Sequence, residues 1–195
     1  KKTSADWIDE IPSNWENMKL KWASDFITDG SHHSPSEDPN GDKIYITVSD
    51  LKNGEIDFEN SKRISDEDFK ELEKGDCRPK RGDVLFSKDG TIGKVTIVDD
   101  NDFVVLSSLA IIRPSDKVSP EYLKYFFESE YSLEQMRSRL KGSALTRITL
   151  EIIVELDILV PPEEEQKDIV NHLDQQTSEI DNLIEQVEQA LDRLT

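Results

Sequence analysis

The chain has 195 residues, of which 35% are hydrophobic and 34% charged, enough for one ordinary core with an appendage or at most two small domains. Its one cysteine, Cys77, excludes an intrachain disulfide and fits a reducing, cytoplasmic setting. No apolar run nears the ~18 residues that span a bilayer, and no signal-peptide pattern opens the chain, so no membrane partner is expected. A formal charge of −18 at pH 7 disfavours a stand-alone DNA reader, because phosphate binding rests on lysine and arginine releasing counterions.

Residues 1 to 14 read as a polar lead-in with a turn at Ile11-Pro12-Ser13-Asn14. Trp15 to Trp22 is amphipathic, and its aromatics are expected to pack on the body. Thr28 to Asp42, dense in glycine, proline, serine and aspartate, predicts an irregular exposed loop. Ile44 to Val48 alternates as a strand, Lys52-Asn53-Gly54 signals a turn, and Ser65 caps a short helix that Gly75 ends. A β-rich stretch follows: Val84 to Ser87, Lys94 to Val98, Phe103 to Leu106 and Leu109 to Arg113. Ser119 caps a helix with Pro120 at its first position, and a second helical piece runs from Tyr131 to Leu140. After the final strands, Pro161 cannot extend a sheet, and Pro162 has the φ that suits the first helical position. Glu163, Glu164 and Glu165 then favour a helix N-terminus through the dipole.

The resulting expectation is an α+β fold in which residues 1–160 form a β-rich domain with short helices. Residues 161–195 form a long coiled-coil-forming α-helix. Along that arm, Leu173, Ile180, Val187 and Leu194 recur at an interval of seven, as do Ile169, Gln176, Leu183 and Ala190. Together they make a left-handed seam, with Gln176 as a polar position that can fix register. A seam on an arm of roughly 45 to 50 Å needs a partner: a second copy, another protein, another helix, or the chain's own body if the arm folds back.

Catalytic signatures are missing. The sequence shows no glycine-rich dinucleotide or P-loop motif, no G-x-S-x-G elbow, and no HExxH or paired-cysteine spacing. No catalytic residue, metal ligand or cofactor of its own is therefore expected. Glu165-Gln166-Lys167 and Asp68-Phe69-Lys70 match a nuclease-like triplet but arise readily in so acidic a chain, and His32-His33 reads as a solvated loop pair without a third ligand. Recognition is what remains. Charge is uneven: residues 163 to 195 carry ten acidic and two basic side chains, and the rest of the chain carries 32 and 22. Two locally basic stretches survive. Arg78 to Lys94 includes Lys80, Lys88 and Lys94, and the turn at Thr91 and Gly93 is expected to project the last two from its edges. Ser132 to Thr149 includes Arg137, Arg139, Lys141 and Arg147, with Ser143 and Thr146 as hydroxyls suited to phosphates or base edges. A plain hairpin turn and a solvated polar loop remain the alternative for these segments.

Four segments, IPSNWENMKL, DGSHHSP, RGDVLFSKDGTIGKV and LDILVPPEEEQKDIV, occur here in an order that resembles the DNA-specificity (S) subunits of type I restriction-modification enzymes. The resemblance implies a non-catalytic subunit whose target recognition domain reads half of a bipartite site in double-stranded DNA. It implies conserved helices that dock methyltransferase (M) subunits, which supply S-adenosylmethionine and methylate adenine at N6. A separate restriction (R) subunit cuts. Carried onto this chain, Pro161, Pro162, Glu165 and Gln166 start the conserved helix, and the GTIG turn belongs to the recognition scaffold. S subunits usually carry two recognition domains and two helices; one of each here implies half of a longer chain or a half-subunit that pairs with itself. Leu145-Thr146-Arg147-Ile148 replaces a more polar segment. The rivals are an acidic DNA mimic and a coiled-coil adaptor without a nucleic-acid role.

Overall fold

The computed structural model describes residues 10–99, 102–140 and 147–193. Its elements in chain order are β1 (Glu16–Lys19), β2 (Ser24–Asp29), β3 (Lys43–Ile46), β4 (Leu51–Lys52), β5 (Glu55–Ile56), β6 (Lys62–Ile64), α1 (Asp66–Glu73), β7 (Val84–Ser87), β8 (Val95–Ile97), β9 (Phe103–Val105), β10 (Leu109–Pro114), α2 (Pro120–Glu128), α3 (Glu130–Arg139), α4 (Leu150–Val154), β11 (Asp157–Val160) and α5 (Glu163–Asp192).

The central sheet is antiparallel with order β2-β10-β7-β8. Strand side chains alternate between faces, so a sheet covered on both sides needs apolar residues at consecutive positions. Val84-Leu85-Phe86 and Leu109-Ala110-Ile111-Ile112 meet that need. Val84, Phe86, Ala110 and Ile112 face a core shared with Leu123, Phe127 and Met136 of the helices. Leu85, Leu109 and Ile111 face the other way, onto Ile46, Phe103 and Val105. Phe86 and Phe127 stack with ring centroids 4.7 Å apart, and full burial of each contributes about 1.5–3 kcal/mol. Behind this layer lies a second sheet of order β6-β3-β9, with β3 antiparallel to β6 and parallel to β9. Serines cap the helices: the hydroxyls of Ser65, Ser119 and Ser129 accept from the backbone N–H of Asp68, Tyr122 and Ser132.

The start of β7 is fixed by a charge pair. Asp83 has no exposure, and the guanidinium of Arg113 grips it with two 2.8 Å bonds. Donating to the Asp83 carboxylate holds the Arg113 guanidinium in its charged form, its pKa raised above the ordinary value.

Three expectations need correction. The stretch read as the final strands holds one strand, β11, because Leu150–Val154 is helix: it buries Ile153 and exposes Glu151, a choice that a five-residue apolar run does not reveal by period. Trp22 does not pack on the body but is 67% exposed, with Lys21 Nζ 5.6 Å from its ring centroid. Pro162 is the N-cap of α5, so the helix starts one residue later than proposed, at Glu163.

The strand β11 pairs antiparallel with β1, from Glu16 opposite Val160 to Lys19 opposite Asp157. This ribbon leads into α5, whose 30 residues make an arm of ~45 Å. Only its first turns touch the body. Val170 is buried, and Ile169 and Leu173 line an apolar groove of about 200 Å³ with Tyr122, Tyr125, Phe126 and Leu159. Farther out, Ile180, Leu183, Ile184, Val187 and Leu191 are 51–61% exposed, so among the described residues the arm does not fold back.

Candidate nucleic-acid interface

The β7–β8 connection is built around one hydroxyl. Ser87 is fully buried; its Oγ donates to the carbonyl of Thr91 at 2.6 Å and accepts the N–H of Lys94 at 2.8 Å. Its carbonyl accepts the N–H of Gly93 at 3.1 Å. Gly93 has φ of 97°, a conformation that side-chain-bearing residues avoid, and this lets the loop close.

Two other segments meet this turn. The first is the loop beginning Asp29-Gly30-Ser31. A Cβ at Gly30 would lie 2.2 Å from the carbonyl oxygen of Val105, so only glycine fits so close to β9. Ser31 donates its N–H to Val105 O at 2.8 Å and accepts from Ser107 N at 2.8 Å. The second is the segment entering α4. Arg147 forms an antiparallel bridge with Asp89, and its Nε lies 3.7 Å from the Asp89 carboxylate. The next residue, Ile148, donates its N–H to the carbonyl of Lys88 at 2.6 Å. Nearby Glu151 titrates below the usual carboxylate range, held by the Thr149 side chain, its own backbone N–H and the positive charge of Lys88. Three polar segments far apart in sequence thus share one end of the central sheet.

The predicted contact residues do not all reach this face. Lys88 is a correction: it does not project from the turn but is 2% exposed, with its ammonium 3.3 Å from Asp29 Oδ2. Lys94 is likewise not free at the edge of the turn; its ammonium donates to the carbonyls of Val48 (3.0 Å) and Leu51 (2.6 Å), stitching the β4 region to β8. Arg139 is half-buried and donates to the carbonyl of Glu155 at 2.8 Å. Arg137 is exposed and paired with Glu130. Lys80 is exposed at the opposite end of β7, in a shallow cleft with Arg78 and Arg81, so it does not join the turn. Arg147 is exposed on the shared face, and exposed His32 joins it there, its Nε2 3.3 Å from Asp29 Oδ2. Lys141, Ser143 and Thr146 lie outside the described residues. Sequence reasoning missed Ser87 and Asp29. The only signal was their place in the RGDVLFSKDG and DGSHHSP segments, because a buried hydroxyl or carboxylate looks like any loop residue.

On the arm, Ile169 and Leu173 sit against the body, whereas Gln176, Ile180, Leu183, Val187 and Ala190 are exposed; Leu194 lies outside the described residues. Among the described residues no group of three or more His, Cys, Asp or Glu side chains is placed to hold a metal ion, and no helix is long and apolar enough to cross a membrane.

This fold, a β-rich body followed by a long helix, is shared by a solved HsdS subunit. The HsdS subunit from Thermoanaerobacter tengcongensis superposes with a TM-score of 0.63 at 20% identity, over 92% of this chain and 41% of that one. At the sequence level, the model of the type I restriction modification DNA specificity domain matches residues 12–193, and the chain belongs to that family. Among relatives, the type I restriction enzyme MjaIX specificity subunit of Methanocaldococcus jannaschii is 30% identical over 185 residues, 91% of this chain and 40% of that protein. The EcoBI specificity subunit of Escherichia coli is 25% identical over 191 residues, 97% of this chain and 39% of the relative. The chain therefore spans about two fifths of the length of these curated relatives.

Proposed function

We propose that this chain reads one half of a bipartite site in double-stranded DNA, with residues 1–160 as the recognition domain and residues 161–195 as a docking arm. The observation that carries this reading is the convergence of the Asp29–His33 loop, the Lys88–Lys94 turn and the Arg147 segment at one end of the sheet. Such a convergence of polar loop segments suits groove contact, in which arginine and hydroxyl groups address base edges and phosphates. Arg147 is the leading base or phosphate contact, with Lys141, Ser143 and Thr146 beside it in sequence; Arg137 is a further phosphate contact, and Lys80, at the opposite end of β7, is not assigned one on this face. Membership of a DNA specificity family favours reading DNA over mimicking it.

In this reading the chain performs no catalysis. Its exposed apolar stripe on α5 docks methyltransferase subunits, a second arm, or both, and a restriction subunit joins through that assembly. The methyltransferase would bring S-adenosylmethionine and modify adenine at N6. The acidic surface sets the division of labour: this chain supplies base choice, and its partners supply much of the phosphate grip.

The test is light scattering after size-exclusion for the chain alone and with its methyltransferase subunit, followed by DNA binding of each peak across salt concentrations. Sequence-selective binding that appears only in the assembled peak supports the reading. An assembled peak with lower DNA affinity than the methyltransferase alone would replace it with mimicry.

A further inference from the structure

Lys88 occupies an odd position for a lysine. It is 2% exposed, among the largest fully buried side chains of the protein, yet it lies in the turn that forms part of the proposed DNA face. Its backbone is engaged in both directions: its N–H donates to Ser108 O at 2.9 Å, and its carbonyl accepts from Ile148 N at 2.6 Å. Its ammonium faces Asp29, which is only 19% exposed by side chain, and the same carboxylate oxygen lies 3.3 Å from Nε2 of the 69% exposed His32. One residue thus links the turn, the loop after β2 and the segment that carries Arg147. An ammonium taken out of water is costly unless it is well paired, and a methionine would fill the same space without that cost. A buried pair retained at such a junction serves placement better than stability.

We propose that the Lys88–Asp29 pair is a positioning device for base selection. It holds the His32 loop and the Arg147 segment at a fixed separation, and it does not touch DNA itself. The inference rests on the reading of this face as the DNA interface. Recognition groups act at tolerances near half an ångström, so loosening the junction degrades discrimination before it degrades affinity. A lysine that contacted phosphate would behave differently, because its loss would lower the salt dependence of binding by about one counterion.

The experiment uses the full chain assembled with its methyltransferase partner and a duplex pool of randomised sequence, with the bound duplexes sequenced. Binding to an unselected duplex is measured in parallel across salt. The variant K88M/D29N removes both charges together, leaving no lone buried charge, and Asp29→Asn alone keeps an oxygen facing the ammonium as a milder second variant. The expected result is a motif for the unaltered assembly and about tenfold weaker discrimination at one or more of its positions in the variants. Bulk affinity, salt slope and assembly should stay unchanged. An unchanged motif in whichever of the two variants remains folded overturns the positioning role, as does a shallower salt slope. If the unaltered assembly enriches no motif, the DNA-reading function falls and this inference with it.

Discussion

Gln166 and Ser119 join the arm to the body through a single buried amide. The Gln166 side-chain oxygen accepts the N–H of Ser119 at 3.0 Å, and its nitrogen donates to the carbonyls of Lys117 (2.7 Å) and Pro161 (2.9 Å). Ser119 is the N-cap of α2, so the direction of α5 is referenced to the start of another helix. Gln166 is 2% exposed, and removing its amide strands three backbone groups away from water. Gln166→Ala should therefore destabilise the protein by about 3 kcal/mol, since each buried orphan costs roughly 1–3 kcal/mol with partial relaxation. A urea titration with unchanged slope and a lowered midpoint checks this; a loss below about 1 kcal/mol would show that the arm is held by Val170 and its apolar neighbours instead.

The Asp83–Arg113 pair predicts an asymmetry. Asp83 is completely buried, whereas the Arg113 side chain is 29% exposed. Arg113→Met leaves a buried carboxylate without its countercharge, keeping the N–H of Lys80 at 2.8 Å, and should cost about 3–5 kcal/mol, while Asp83→Asn leaves a guanidinium that water can reach and should cost less. Thermal unfolding of both variants decides the order, and equal losses would contradict it.

Arg147→Ala separates recognition from stability. Its ion pair with Asp89 is long and exposed at 3.7 Å, so the melting temperature should barely move. If Arg147 reaches phosphate, the salt slope of the assembled complex falls by about one; if it reaches a base, selectivity at one position relaxes by about 1–3 kcal/mol. Binding that changes in neither respect removes Arg147 from the interface.

Acid should loosen the β4–β5 hairpin late. Lys52, with help from Asn60, holds the Asp57 carboxyl at about 2 against an ordinary 3.8. A depressed folded-state value means that the contribution of this group is complete above about 4 and is lost as pH falls through about 2. The midpoint of Asp57 in an NMR titration checks the value, and Lys52→Met should raise it toward 3.8.

The outer arm predicts association without folding. Leu183 and Ile184 are 61% and 51% exposed, so the double substitution L183D/I184D should leave the intrinsic stability of the body within about 0.5 kcal/mol. It should abolish capture of the methyltransferase subunit or of a second arm, read by light scattering. Retained assembly would place the docking surface elsewhere.

Much of the fold was legible in the sequence because its signals are local. The consecutive apolar runs of β7 and β10, the serine caps of α1 and α2, and the proline–glutamate boundary of α5 each report a backbone preference within a few residues. The same local rule failed at Leu150–Val154, where only burial of Ile153 against the body distinguishes helix from strand.

The candidate site was legible as segments but not as side-chain roles. Sequence by itself determined which stretches are polar, glycine-bearing and basic, and that Ile180, Leu183 and Val187 share one helix face. Only the tertiary structure decided that Lys88 turns inward to Asp29, that Lys94 satisfies two carbonyls, and that Arg147 remains at the surface. The physical reason is that a lysine in a turn has the same local preferences whether its ammonium ends in water or against a carboxylate 59 residues earlier in the chain. That choice depends on Asp29 being brought beside the turn, where Gly30 passes close to β9, a contact between distant segments that no local pattern encodes.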